Sequence, residues 1–339
     1  MMGPMTHAFG RQAAAVATLS LLASGLSGCG LLDGSSRVEE ALEYLPQDSA
    51  TVTFVDRTAI AERISEGDST PGTGDDEAYG TELTRWVAVM QEAGFSDFDV
   101  EWEASATGAD VGLVRVWKLT DEADFGAIAD DLVDAGYDRS GSADVERFDI
   151  ELSSADASGT YGGRYPAFLS SLALVPDERL VLSGSVDLAV DVATDDEDSL
   201  ADAGSFDELL GLAADDDALE YAVLTLEPSC GAGGRMSSEQ VAQQLEGLAY
   251  PDRGMALLAD PDEGLRAVRL FGEEDDPESD AEGLDAYLSD RAPATGFDVD
   301  LDVRADGDAV VAEADFDDRR QLVRAWSRVE GPFACPPGR

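Results

Sequence analysis

In 339 residues the chain has one histidine, one lysine, three cysteines and no asparagine. The histidine is His7, inside the leader described below, so the body beyond it has none. That excludes Ser-His-Asp and Cys-His nucleophile arrangements, which need an imidazole to take the proton. It also excludes histidine-ligated zinc and the His-Glu-x-x-His pattern. Paired carboxylates and Ser/Lys machinery remain. The single lysine, Lys118, lies in an apolar strand pattern with no Ser-x-x-Lys around it, and reads as a strand-edge surface residue. Basic residues number 22 against 72 acidic ones, a formal net charge of −50. Affinity for DNA or RNA is largely Lys and Arg meeting phosphate, so a nucleic-acid partner is excluded. Electrostatic docking on anionic lipid is disfavoured for the same reason. The scarcity of Lys, Asn and Ile reads as a GC-rich genome, and the excess of Asp over Glu as salt adaptation. Neither assigns a function. The hydrophobic fraction of 44% is ordinary and permits a folded core.

What is present begins with a leader. Arg11 supplies a positive charge, and Ala13 to Leu26 is apolar but too short and too rich in small residues to span a bilayer. It ends in Leu26-Ser27-Gly28-Cys29, which resembles the lipobox of bacterial lipoproteins: an aliphatic residue, two small ones, then cysteine. The resemblance implies that residues 1–28 are a signal peptide. Cys29 then becomes the mature N-terminus, with a diacylglyceryl group on its sulfur and acyl chains such as palmitate. Two acyl chains hold a protein stably, since each buried CH2 contributes about 0.8 kcal/mol. The body is then expected on the outer face of the cytoplasmic membrane, on a short tether over 29–36. The competing reading is an ordinary signal peptide with a chance cysteine near the cut.

Without Cys29 two cysteines remain, Cys230 and Cys335. Exported chains usually pair such cysteines. The bridge would close a loop of about 100 residues, worth roughly 4–5 kcal/mol in the chain-entropy model. It would tie down a tail over 333–339.

The pattern beyond the tether predicts an α+β fold, mainly antiparallel sheet with packed helices. A helix starts at Arg37, followed by a strand over 51–55, a loop over 66–76 and a helix from Thr81 carrying Leu83, Trp86, Val87 and Met90. Strands follow near 100–104 and 111–119, then a helix N-capped by Asp121. Further strands are expected near 147–152, 168–175 and 179–183, and a short helix from Val186. The second half repeats this order. A helix over 206–212 and a strand over 219–226 lead to a helix over 237–248. Strands over 254–259 and 265–271, a helix over 278–290, a hairpin turning at Asp306-Gly307 and a final helix with Leu322, Val323, Trp326 and Val329 complete it. Two pseudo-repeated units are expected, near 37–203 and 204–332.

Short stretches resemble a group of actinobacterial envelope proteins. They are Leu45-Pro46-x-Asp48-Ser49 before a strand, Arg164-Tyr165-Pro166, Val181 to Ser185, and Ser199-Leu200-Ala201-Asp202 with Phe206. Those proteins open with Leu-Pro-x-Asp-Ser/Thr and have no established activity, so the resemblance implies no catalytic residue.

Three constellations could carry chemistry. Asp298-Val299-Asp300-Leu301-Asp302 resembles a calcium loop, but Val303 and Ala309 stand where an EF-hand needs Gly and Glu. The alternation reads as a half-exposed strand. Gly231-Ala232-Gly233-Gly234-Arg235 before a helix could cradle an anion, yet lacks Gly-Lys-Ser/Thr and reads as a loop beside Cys230. Glu101 and Glu103 flank Trp102 on a strand, both on one face. They could serve as a glycosidase pair, although 72 acidic residues make such pairs common by chance. No catalytic residue, metal ligand or cofactor is assigned. The expected function is a non-catalytic envelope lipoprotein that binds or scaffolds an envelope protein partner. The alternatives are an extracytoplasmic solute or cation receptor and a carboxylate-based glycan-cleaving enzyme.

Overall fold

The apolar alternation of the predicted strands resolves into one large antiparallel sheet with helices on both faces. The structure is a computed structural model, described over residues 36–66, 82–213, 218–230, 245–272, 276–290 and 297–336. Among these residues the strands are β1 (Thr51–Asp56), β2 (Val100–Gly108), β3 (Gly112–Leu119), β4 (Asp138–Gly141), β5 (Glu146–Asp149), β6 (Thr160–Tyr161), β7 (Tyr165–Pro166), β8 (Ser171–Val175), β9 (Leu180–Gly184), β10 (Tyr221–Thr225), β11 (Gly254–Asp260), β12 (Gly264–Leu270), β13 (Asp302–Asp306) and β14 (Ala309–Ala314). Twelve form a sheet in the order β13-β14-β12-β11-β10-β1-β2-β3-β9-β8-β5-β4, and β6 and β7 make a small hairpin apart. The helices are α1 (Arg37–Leu42), α2 (Arg57–Glu66), α3 (Phe125–Asp134), α4 (Val186–Ala193), α5 (Leu200–Ala203), α6 (Asp207–Leu210), α7 (Pro277–Asp290) and α8 (Arg319–Arg328). The fold class is α+β, and no described helix is long and apolar enough to cross a membrane.

The seam between β1 and β10 organises the sheet. On one side lie β1, β2 and β3, then α3, then the β8–β9 hairpin with β9 returning beside β3. On the other lie β10, β11 and β12, then α7, then the β13–β14 hairpin with β14 returning beside β12. The registers match as well. Thr53 pairs with Val223 across the seam; Thr53 also pairs with Ser105 and that residue with Arg115. Val223 in turn pairs with Leu257, and that with Ala267. The pair Glu103↔Trp117 therefore occupies the place that Met255↔Arg269 holds across the seam. Strands β4 and β5 extend the first side only.

Both faces of the central strands are covered, so β10 and β11 are buried at every residue. One face packs Phe54, Trp102, Val116, Leu182, Leu224 and Leu258 under α1, α4, α5 and α6. The other carries two clusters, one around Leu257, Leu284 and Leu322 beneath α7 and α8. The second surrounds Trp117, Phe148 and Tyr165 beneath α3. At the margins, β13 begins and ends on exposed Asp302 and Asp306 and β4 is wholly exposed. Charged, short edge strands discourage pairing with another chain.

Several elements differ from the sequence reading. Residues 83–92 form two short 3-10 turns, Thr84–Trp86 and Met90–Glu92, instead of an α-helix. Thr84, Val87 and Val89 are β-branched and lower helix propensity there. The N-cap of α3 is Asp124, whose carboxylate accepts from the Ala127 N–H at 3.1 Å, not Asp121. Residues 297–301 are not in a strand, and the hairpin strand starts at Asp302. Lys118 lies on β3 inside the sheet, between β2 and β9, instead of on an edge. The expected helix over 237–248 falls mostly outside the described residues, and Leu245–Gly247 is a turn.

Candidate functional site

The carboxylates singled out on β2 part company. A register shift between Val100 and Trp102 interrupts the alternation. A bulge re-aims side chains in this way. Glu101 lies 3.4 Å from the Arg37 guanidinium at the start of α1. Glu103 instead enters the opposite face beside Trp117. The two do not form a glycosidase pair.

Glu103 is the centre of a buried polar cluster. The Trp117 indole N–H donates to its Oε2, and the Glu82 N–H donates to Oε1 and Oε2 at 3.0 and 2.9 Å. Burial pushes its pKa up to about 7, and the negative charges of Glu82 and Asp97 add to the rise. The donated hydrogen bonds from Glu82 and Trp117 oppose it without cancelling it. The Glu82 carboxylate accepts from Arg115 at 2.5 Å, and that guanidinium lies 5.1 Å over the Phe168 ring. Asp97 is buried and accepts from Arg57 Nε at 2.9 Å and Thr84 Oγ1 at 3.0 Å. The cluster thus bolts the 82–99 segment onto β2, β3 and α2.

Two further buried ion pairs hold the other side. Arg63 on α2 meets Glu220 through two contacts, 2.7 and 2.8 Å. Arg269 on β12 meets Asp280 on α7 at 2.8 and 3.0 Å, with both side chains nearly sealed from solvent. Its remaining donors reach the carbonyls of Ala249, Ala334 and Pro332. Arg269 therefore ties the last buried segment of the chain to the sheet. Next to that segment Cys230 and Cys335 are disulfide-bonded, with Cα atoms 5.2 Å apart.

Surface clefts lie elsewhere and are acidic. One of about 490 Å³ is lined by Glu263, Asp300, Asp302, Glu313 and Asp315. A second, about 480 Å³, has Asp110, Arg147, Asp149, Ser171 and Asp187. A third, about 500 Å³, has Asp195, Glu197, Asp198 and Asp202. None of these three is lined by Glu103 or Asp97. Among the described residues no three His, Cys, Asp or Glu side chains converge as metal ligands, Asp298, Asp300 and Asp302 included.

No protein-family profile matches the chain, and no curated protein matches it. Solved structures of TP0453 are similar at low level. Crystal form III has a TM-score of 0.40 at 9% identity, over 84% of this chain and 96% of that one. Crystal form I gives 0.40 at 10%, over 85% and 97%. Crystal form IV gives 0.38 at 10%, over 86% and 100%.

Of the residues marked in the sequence, Leu26, Ser27, Gly28, Cys29 and the 231–235 glycine stretch lie outside the described residues. The sequence reading missed Arg57, Glu82, Asp97 and Arg115, because their contacts bridge segments far apart in the chain. It also missed Arg269 with Asp280. Arg269 between Val268 and Leu270-Phe271 on a strand is the available signal, since a buried guanidinium demands a partner.

Proposed function

We propose that this chain is a non-catalytic lipoprotein held at the outer face of the cytoplasmic membrane by lipid on Cys29. Its body binds or scaffolds an envelope protein. The observation that carries this reading is the apolar leader ending in Leu26-Ser27-Gly28-Cys29. With Cys230 bonded to Cys335, Cys29 is the one cysteine left for lipid. The absence of histidine beyond His7 supports a body without common hydrolytic chemistry. So does the use of Glu103 and Asp97, both buried, as acceptors for structural donors. The matching strand registers support two duplicated units, near 37–203 and 204–332, sharing one sheet. An extracytoplasmic solute receptor is the second reading, favoured by the open polar cleft of about 490 Å³. Crosslinking in cells followed by native mass spectrometry tests the proposal. A stoichiometric protein partner is the expected result. Turnover of a wall glycan that disappears when a single Asp or Glu is changed would overturn it, and a small solute bound without any protein partner would favour the receptor.

A further inference from the structure

Among the described residues three large apolar side chains stand exposed: Phe98 at 70%, Leu152 at 70% and Val133 at 43%. Phe98 is held out by a rigid frame. On one side Asp97 is buried and bound to Arg57 and Thr84. On the other, Asp99 accepts from Ser96 N–H and hydroxyl at 2.7 and 3.0 Å, and its carbonyl accepts from Thr120 N–H at 2.8 Å. Val100, next in the chain, is buried. The backbone around Phe98 is thus fixed with the ring outside.

Phe98 also stands at a particular end of the sheet. Arg37 at the start of α1 binds Asp56 at the end of β1, at 2.7 and 2.8 Å, and reaches Glu101 three residues past Phe98. Arg57, next to Asp56, holds Asp97 at 2.9 Å. The first described residue, Ser36, caps α1 at this same end. Leu152 and Val133 lie towards the opposite end, past Asp149 and at the C-terminus of α3. Six residues, and so seven Cα–Cα steps, separate Cys29 from Ser36 in the sequence. Fully extended these steps span at most about 25 Å, so a lipid on Cys29 would hold this end within that reach of the bilayer.

We infer that the sheet end carrying Phe98 is the membrane-facing surface of the protein, with the Phe98 ring seated in the lipid headgroup layer. The inference rests on the lipid-anchor reading. An exposed aromatic ring on a tethered body gains free energy by entering the interface, and a covalent anchor removes most of the entropic cost of bringing it there. Asp99 and Glu101 beside it keep the contact shallow, because carboxylates stay in water.

The test attaches an environment-sensitive fluorophore to Phe98→Cys and, separately, to Leu152→Cys. Each mature lipidated protein is placed in phosphatidylcholine vesicles containing lipids spin-labelled at the headgroup. The probe at 98 should shift to the blue and lose fluorescence, while the probe at 152 should match its value in lipid-free buffer. A probe at 98 that behaves like the one at 152 overturns the inference. A second preparation, starting at Gly30 with an N-terminal hexahistidine on nickel-chelating lipid, separates the two readings. Quenching at 98 there, with no lipid found on native Cys29, sinks the anchor and keeps the surface. Native lipid on Cys29 without quenching at 98 in either preparation does the reverse.

Discussion

Burial moves the Glu103 carboxyl well away from its free behaviour. Its pKa rises from an ordinary 4.5 to about 7, chiefly through burial. The folded state then binds more protons than the unfolded state between those values. Stability is full below about pH 4.5 and falls as pH rises towards 7, by about 3 kcal/mol for this group. Glu103→Gln should remove that decline, because a neutral amide carries no charge to desolvate. Thermal unfolding of both proteins from pH 4 to 8 checks it, and an unchanged slope in the variant contradicts it. Arg269 offers a sharper effect. Arg269→Met would leave Asp280 buried without its cation, which costs about 3–5 kcal/mol. Replacing both residues with apolar ones should recover much of that loss, as denaturant midpoints would show. The sequence displayed Glu103 but not its role. Simple alternation places it with Glu101, and only the bulge at Val100 and Trp102 separates them. A bulge leaves no local sequence mark as clear as a hairpin turn does.

At the scale of elements, strands were far more legible than helices. Both faces of the central strands are covered, so β10 and β11 appear as apolar runs bounded by polar turns. The Asp306-Gly307 turn placed its hairpin correctly, with Asp306 opposite Ala309. The helical spacing of Leu83, Trp86, Val87 and Met90 is real, while the conformation of that segment is set by distant groups. Glu103, Arg57 and Arg115 grip it through long-range contacts. The β4–β5 hairpin was missed in part because β4 is short, polar and wholly exposed, and carries no burial pattern. The disulfide acts at this scale too, joining residues 105 apart. Changing both Cys230 and Cys335 to serine should lower stability by about 4–5 kcal/mol. Equilibrium unfolding in denaturant would measure it, and a change below about 1 kcal/mol would mean that Arg269 alone secures the tail.

The whole molecule combines a charge of −50 with a twelve-stranded sheet whose central strands are covered on both faces. The carboxylates take several places. Among the described residues a few are buried with arginine partners, some cap helices, and others line open acidic clefts. Such a surface repels anionic lipid and nucleic acid alike, so the proposed attachment to a membrane rests on a covalent lipid. The leader supplies a candidate for it in Cys29. The most direct measurement is the intact mass of the protein extracted from membranes, wild type beside Cys29→Ala. The account predicts a mature chain beginning at Cys29 with the mass of a diacylglyceryl group and its acyl chains, and a Cys29→Ala protein missing from the membrane fraction. A wild-type chain of unmodified mass, or a Cys29→Ala chain still held at the membrane, would contradict it.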